Sequence, residues 1–528
     1  MAATTSPSAN IRSSVVINLV RTLTLTLLSF LTFPYVTRAL GDQAFGLYTW
    51  ANTFVYYFLV LAKISIPNIA IRECSKVKDD KEKLSHLAQE FFLIQGIFTL
   101  LSFAFMSLLV WNIPDLRANS GLIFVLSINF LAGLFSFEWI YIVLEKHFYI
   151  TARSILFIAV GAALTFLFIK VKTGYVDDNG VYINPALNEV HIYALITIST
   201  TVFTVISNLI FLPKYISFKK TSPYHLRAHA PTIFILFLAS IALTVYNQTD
   251  EFLLGFIDPT KAAVGSYSVG VKGIDIIITL ITSLYAVFMP RASFYYAKED
   301  KRFFQNLVTY SLNITFFIAV PAIATMATLS APIASLLSGS EISAQYQDSA
   351  AILAALSLMM LTYSIGDNIY TEILIPSKRE KYYLFGMGGG IVLNVGLSFL
   401  FALVVMPSRP GFGVAIATTI TDVLLAAYFI GVSWAYSKKA IFNWNNLKIV
   451  SAGILIALFT FFLLPAIQKL LPYSGDQLWL NYLLSSFILL ACDTVIYLGF
   501  LALTKEKLVS SFLRRKGGND EQPEPQGK

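Results

Sequence analysis

Stretches of apolar residues long enough to cross a bilayer as helix follow one another along almost the whole chain, and the cations are sorted around them. About fourteen can be drawn: 14–37, 46–68, 87–111, 121–144, 154–170, 190–212, 231–257, 264–290, 306–336, 348–375, 384–406, 412–435, 449–468 and 481–504. Most reach the roughly 20 residues that span about 30 Å of hydrocarbon at helical rise. Of the 38 Lys and Arg residues, 28 lie on the side holding the N-terminus, the even-numbered connections and the C-terminal tail, and 7 on the other. Arg21, Lys63 and Lys272 fall inside segments, and Lys170, the last residue of the fifth, is counted with the loop that follows it. Short basic loops stay in the cytoplasm, so the bias predicts cytoplasmic termini at both ends of a multi-pass inner (cytoplasmic) membrane protein. The predicted class is an all-α polytopic membrane protein with about 14 transmembrane helices.

Composition closes off the alternatives. With 56% hydrophobic and 13% charged residues and a mean hydropathy of +0.69, an ordinary soluble globule is excluded. The net charge of +8 sits in short loops, where topology and anionic headgroups account for it. It makes no contiguous basic face for nucleic acid. Cys74 and Cys492 imply neither a disulfide nor a zinc site, and His225 and His229 stand four apart without a third ligand. The first segment is interrupted by Arg21 and lacks a small-x-small cleavage site, so it reads as retained rather than as a signal peptide.

The connections are short, which predicts no soluble domain on either side. The longest outward loop, roughly 171–189, carries Asn179-Gly180 between Tyr175-Val176 and Val181-Tyr182-Ile183, the pattern of a small hairpin. A faint repeat divides the chain. Gly41-Asp42 to Gly46-Leu47-Tyr48 and Asp258-Pro259 to Gly265-Ser266-Tyr267 each place Asp in an outward turn and Gly-x-Tyr at the start of a returning helix. They stand six segments apart, so two six-helix halves would share orientation about an axis along the membrane normal. The predicted units are a first bundle over 1–213, a cytoplasmic linker over 214–230, a second bundle over 231–437, two further helices over 438–504, and a tail over 505–528 whose composition predicts disorder.

Ionisable groups in hydrocarbon cost several kcal/mol, so each asks for a partner or a purpose. At about 100° per residue, Asn18, Arg21, Thr22 and Ser29 share one face of the first segment. Thr244, Asn247, Gln248 and Glu251 share one on the seventh, with Asp250 at its edge; Lys272 and Asp275 share one on the eighth; Tyr363, Asp367 and Tyr370 share one on the tenth. The first half holds Arg21, Lys63 and Glu138, whereas acids dominate the second: Asp250, Glu251, Asp275, Asp367, Asp422 and Asp493. Such a division suits an anionic substrate and a coupling cation held apart. Simpler readings stand beside it. Arg21 and Lys63 could snorkel to headgroups; Lys272 and Asp275 could neutralise each other; Asp250 and Glu251 could meet only water. Asn394, Thr418 and Asp422 could complete an oxygen cage for Na⁺, or Thr418 could serve as helix glue. Gly386, Gly388, Gly389 and Gly390 read as close packing rather than a phosphate cradle.

The segment count, the Arg in the first helix, the Asn247-Gln248-Thr249-Asp250 to Leu254-Gly255 stretch and the following Gly265-Ser266-Tyr267 resemble polysaccharide flippases. These are the Wzx-type O-antigen and repeat-unit transporters of the MOP exporter superfamily, related to lipid II flippases and MATE exporters. The resemblance implies transport of undecaprenyl-pyrophosphate-linked oligosaccharide by alternating access, no catalytic residues, no cofactor beyond a possible H⁺ or Na⁺, and membrane lipids, a polysaccharide polymerase and a chain-length regulator as partners. It implies Arg21, Lys63 and Lys272 as cavity cations, with Asn18, Gln248, Asp275 and Asp367 as polar lining. Asp250, Asn394 and Thr418 would form the cation site, with Glu251 and Asp422 beside it. A MATE-like exporter of small molecules is the nearest rival, though such exporters resemble proteins of about twelve helices. A membrane glycan polymerase or glycosyltransferase is the other. Those resemble proteins with a large catalytic outward loop, and the longest here holds only Asp177, Asp178 and Glu189 as acids.

Overall fold

The computed structural model describes residues 7–170, 175–176, 182–183, 189–219, 223–339, 346, 348–473 and 477–510, with the backbone alone for 7–20, 23, 286–287 and parts of 227–243. The described residues are overwhelmingly helical. In the first half the helices are α1 Pro7–Lys63, α2 Ile66–Cys74, α3 Lys81–Asn112, α4 Pro114–Ala118, α5 Ser120–Leu126, α6 Ile128–Phe135, α7 Glu138–Val143, α8 His147–Phe168 and α9 Glu189–Phe211. The second half holds α10 Leu226–Ile257, α11 Ala262–Ala297, α12 Lys301–Thr328, α13 Ser330–Ser338, α14 Ser349–Leu356, α15 Met359–Ile369, α16 Glu380–Phe399, α17 Pro410–Val432 and α18 Trp434–Ile441. Then come α19 Trp444–Leu470 and α20 Leu478–Leu503. π-helical turns extend α15 through Tyr370–Leu374 and α16 through Leu400–Val405.

Among the described residues, 12 helical stretches are long and apolar enough to cross a membrane. Large apolar side chains cover the outside, such as Val392 at 75% and Phe462 at 72% exposure, as a surface solvated by lipid requires. The chain is a multi-span membrane protein. The expected segments depart from simple helices in two places. Segments 14–37 and 46–68 share α1 as two helices joined at a kink, where Gly41 leaves helical geometry at φ 74° and ψ 172°; the second ends at Lys63, before the left-handed Ile64 and Ser65. Segment 121–144 is broken into α5, α6 and α7, with Phe137 at φ 43° between the last two. In the loop between α8 and α9 Tyr175 pairs with Ile183 and Val176 with Tyr182 in an antiparallel ladder. The Asn179-Gly180 turn lies outside the described residues, as do residues 511–528 of the expected tail.

Helices start where short polar side chains cap them at the end of the molecule rich in Lys and Arg, here called the basic end. Asp80 accepts from the amides of Glu82 and Lys83 at 3.1 Å, Asp300 from Phe303 at 3.1 Å and Asn443 from Asn446 at 2.9 Å, each satisfying donors that a helix leaves open. Also there, Lys78 Nζ meets Glu145 Oε1 at 2.6 Å, and its ammonium holds that carboxyl below the ordinary carboxylate range.

The hydrophobic cores differ between the two ends. Towards the far end one cluster is shared: Trp50, Phe54, Met106 and Leu122 of the first half pack with Leu254, Val264, Ile352 and Val414 of the second. At the basic end the cores are separate. Ile66, Leu84, Phe91, Phe137 and Leu212 form one, joined by Ile233 of α10; Phe304, Val308, Phe429, Ile449 and Tyr497 form the other, which carries α19 and α20. The repeat noted in the sequence meets itself within the shared contact. A methyl group on Gly46 would stand 1.9 Å from the Lys261 carbonyl oxygen, and one on Gly265 would stand 2.2 Å from that of Asp42. Only glycine permits that approach.

The glycines of α16 divide. A methyl on Gly386 would strike Tyr428 and Phe429, and one on Gly390 would strike Leu425, whereas Gly388 and Gly389 face open space. The packing reading therefore holds for two of the four.

Candidate functional site

Polar groups line the interior in three places, each built on helices of the predicted pattern. The first is cationic and lies in the first half, towards the basic end. Arg21 of α1 donates to Glu138 Oε1 at 3.1 Å, and Arg153 of α8 donates to Glu138 Oε2 at 2.9 Å. Arg153 also donates to Asn208 Oδ1, while Asn208 Nδ2 donates to the Ser136 carbonyl at 2.6 Å. The left-handed turn at Phe137 starts α7 on Glu138 and so aims it at both guanidinium groups. Arg21 and Glu138 remain 25% and 29% exposed; Arg153 is 3% exposed. Lys63 approaches this group, with its Cε 3.4 Å from a methyl placed on Gly133 and its charge within reach of Glu138. The snorkelling alternative for Arg21 is therefore replaced by an ion pair. Asn18 lies on α1 where side chains are outside the description.

The second place joins the halves. Lys272 of α11 donates to Ser29 Oγ of α1 at 3.0 Å and stands 5.7 Å from the centre of the Phe33 ring. No ion pair within 4.0 Å links it to Asp275 among the described residues, although the two charges act on each other at longer range. Asp275 is exposed to the interior instead. It borders a cavity of about 340 Å³ with Asn247, Gln248, Asp250, Glu251, Tyr267 and Tyr363.

Acids and hydroxyls make the third place. Asp250 Oδ2 accepts from Tyr267 Oη at 2.5 Å and from Thr418 Oγ1 at 2.8 Å; Asn394 Nδ2 donates to the same Thr418 hydroxyl at 3.0 Å. Asp250 Oδ1 and Asn394 Oδ1 are buried without a hydrogen-bond partner among the described residues. Asp422 Oδ1 accepts from Tyr246 Oη, and its Oδ2 is likewise unpartnered. Glu251 accepts from Ser268 Oγ at 2.9 Å and from Thr53 Oγ1 of the first half at 3.0 Å; Gln248 Oε1 lies 3.2 Å from that Thr53 hydroxyl. Asp250 and Glu251 thus meet side chains rather than water alone. Asp367 lies apart, beside Tyr363, Tyr383 and Asp422.

Chemically these places differ. The first presents guanidinium donors matched to phosphate or carboxylate oxygens. The third presents carboxylates, amides and hydroxyls with three oxygen atoms unsatisfied among the described residues, which suits a proton or a hard cation. The sequence reading, through the resemblance, groups Asp250, Asn394 and Thr418, which the structure brings together, and Arg21 and Lys63, which it sets around Glu138. It missed Arg153, which falls among the loop cations when segments are drawn by hydropathy, and it missed Glu138 as the group joining the arginines. Tyr246, Tyr267 and Thr53 were also not anticipated. An available signal was the rarity of an acid in the middle of a segment as apolar as 121–144.

Comparison with known proteins agrees with this architecture. Residues 11–294 match the family model described as "Polysaccharide biosynthesis protein". A candidate O-antigen transporter of Escherichia coli (strain K12) is 22% identical over 243 residues, which cover 46% of this chain and 55% of that one, so the chain matches little more than half the length of that relative. Among solved structures, the lipid II flippase MurJ in an inward closed conformation superposes with a TM-score of 0.62 at 16% identity, covering 92% of this chain and 100% of that one. An inward-facing multidrug resistance MATE family transporter of the MOP superfamily superposes with a TM-score of 0.58 at 14% identity, covering 79% and 95%. With the fold of these transporters and a family match over more than half its length, the chain belongs to the polysaccharide biosynthesis protein family.

Proposed function

We propose that this protein moves undecaprenyl-pyrophosphate-linked oligosaccharide repeat units across the cytoplasmic membrane by alternating access, driven by an entering H⁺ or Na⁺. The observation that carries the reading is the division of the interior: arginines in the first half, unsatisfied carboxylate oxygens in the second, and Lys272 hydrogen-bonded to Ser29 between them. A pyrophosphate and a glycan cannot enter hydrocarbon without partners, because each bare polar group costs several kcal/mol there. Arg21, Lys63 and Lys272 supply those partners for the charge. Gln248, Asp275 and Asp367 supply them for hydroxyls.

The basic end is cytoplasmic in this reading, and both termini lie there. Separate cores at that end and a shared one at the other describe a carrier receptive to a ligand from the cytoplasm. Outward passage of an anion gains about 2.3 kcal/mol per charge per 100 mV of inside-negative potential. A cation held by Asp250, Asn394 and Thr418 then favours one state over the other and resets the cycle. A polymerase and a chain-length regulator would take up the product. No chemical step is required of the protein.

The test is surface glycan in a strain whose own copy is deleted. Arg21→Ala and Lys272→Ala, at protein levels matched to wild type, are expected to cut glycan about tenfold or more, since each removes a charge-assisted contact worth about 1.5–3 kcal/mol. Undiminished glycan in both variants, or a gain of drug efflux by the wild type in its place, sinks the reading.

A further inference from the structure

We infer that Glu138 is a resident anion of the first half: it holds Arg21 and Arg153 in the empty protein and yields Arg21 to a phosphate of the arriving ligand. The inference rests on the reading that the ligand carries phosphate, and it names how that group is taken and released. Arg153, which the sequence pattern did not single out, becomes the fixed wall of the site.

The two arginines are not equivalent. Arg153 is enclosed at 3% exposure, bonded to Asn208 as well as Glu138, and stands 5.5 Å from the centre of the Tyr149 ring. Arg21 sits at 25% exposure on another helix, and its contact with Glu138 is one nitrogen to one oxygen at 3.1 Å. Its Nε is buried without a partner among the described residues, as is that of Arg153, so exposure and the single bond are what set Arg21 apart. A guanidinium offers five N–H donors and binds phosphate best through two of them at once. Arg21 therefore has unused donors and a single longer bond to give up, whereas Arg153 has neither the room nor the exposure to leave.

Glu138 is placed where it is by a costly backbone. Phe137 adopts φ 43° and ψ 19° inside a membrane-crossing segment. A non-glycine residue in that region costs on the order of 1–3 kcal/mol and persists where the surroundings over-determine it. The turn ends α6 after Phe135 and begins α7 on Glu138, which is the geometry that brings each carboxylate oxygen to a different guanidinium.

Charge counting gives the mechanism. Arg21, Arg153 and the nearby Lys63 face one carboxylate, which leaves an excess of positive charge for a diphosphate. Without Glu138 the empty site would hold cations with no counter-charge in a low-dielectric interior, and any anion bound there would leave slowly. With it, arrival of phosphate exchanges one anion for another on Arg21, and departure reverses the exchange. No proton has to move.

The test uses full-length protein in nanodiscs with inorganic pyrophosphate as the probe, read by titration calorimetry, alongside flipping of lipid-linked oligosaccharide in vesicles. Glu138→Gln is expected to bind pyrophosphate about tenfold tighter than wild type, a gain of about 1.4 kcal/mol. Its flipping at saturating substrate is expected to fall because release slows. The gain must vanish in Glu138→Gln/Arg21→Met and must exceed that of Asp275→Asn, which removes an interior acid elsewhere. Should the glutamine variant not assemble, Glu138→Asp keeps the charge but shortens its reach by one methylene, and about threefold tightening is expected. Equal affinity in wild type and both Glu138 variants overturns the inference and leaves the phosphate reading standing. Unchanged pyrophosphate affinity in Arg21→Met and Lys272→Met defeats the phosphate reading itself.

Discussion

Lys261 reaches across the boundary between the halves to Asp115, with Nζ 2.7 Å from Oδ2, and lies 4.2 Å from the centre of the Trp50 ring. It is 3% exposed, so this is a buried cation held on three sides: by a carboxylate, by an indole and by the Gly255 carbonyl to which it also donates. Asp115 follows α3 of the first half and Lys261 precedes α11 of the second. A carrier that opens at the far end has to part them.

Lys261→Met is therefore expected to shift the population towards the far-open state. A cysteine placed on the shared far-end core, at Val55, should gain labelling by an impermeant thiol reagent several-fold over the same cysteine in the Lys261 background. Asp115 keeps 41% of its side chain exposed, so losing the lysine costs this part-exposed pair about 1 kcal/mol, enough to shift such an equilibrium several-fold. Unaltered labelling would show that the contact does not hold the end shut.

Gly265→Ala is expected to spoil closure at the same end by a different route. The added methyl would meet the Asp42 carbonyl at 2.2 Å, and neither backbone has a flexible tip to withdraw. Loss of several degrees in Tm with greater far-end labelling is expected, and Gly46→Ala should reproduce it. Normal behaviour of both variants would mean that the corners move apart at little cost.

Asp250→Asn and Thr418→Ala should uncouple transport from the cation. In proteoliposomes, imposing a Na⁺ or pH gradient is expected to accelerate wild-type flipping and to leave these variants unchanged, with flipping in the absence of a gradient reduced less than fivefold. Asp493→Asn, whose carboxylate accepts from Thr460 at 2.7 Å between α19 and α20, should keep the response. Retention of the gradient response in Asp250→Asn would remove that carboxylate from the coupling role.

Removing the Lys78–Glu145 pair predicts a pH dependence with a definite sign. Glu145 is held below its ordinary range in the folded protein, so its stabilisation is full above about pH 4–5 and fades as pH falls through the depressed value. Both groups are exposed, which keeps the effect below about 1 kcal/mol. Glu145→Gln should lower Tm slightly at pH 7, and the difference should shrink as the pH is taken below the ordinary carboxylate range. A difference that persists there would place its origin elsewhere.

Hydropathy and charge made the helical class legible because each membrane helix reports its own length and its own flanks. The repeat was legible for the same reason: both copies of Gly-x-Tyr begin a returning helix. Asp250, Asn394 and Thr418 were grouped by the family resemblance, whereas the residues alone pointed to Asn394, Thr418 and Asp422. The Glu138 cluster could not be assembled that way. Arg21 and Glu138 stand 117 positions apart, on helices whose neighbours are set by packing rather than by periodicity. Arg153 was hidden by a boundary: hydropathy begins the segment at 154, whereas the helix begins at His147 and carries Arg153 inward. The bend at Gly41 was equally invisible, since a loop of several residues and a single left-handed glycine satisfy the same pattern.

The corner contact has one more property. Each glycine meets the carbonyl four positions before its counterpart, Gly46 that of Lys261 and Gly265 that of Asp42. Exchanging the halves leaves such a contact unchanged, which is the signature of an isologous interface between two copies of one subunit. Each half consequently carries both surfaces that the junction needs. Two chains of a single six-helix ancestor could have made it with one another before they were joined, and the linker between α9 and α10 would then have fixed a partnership that already existed.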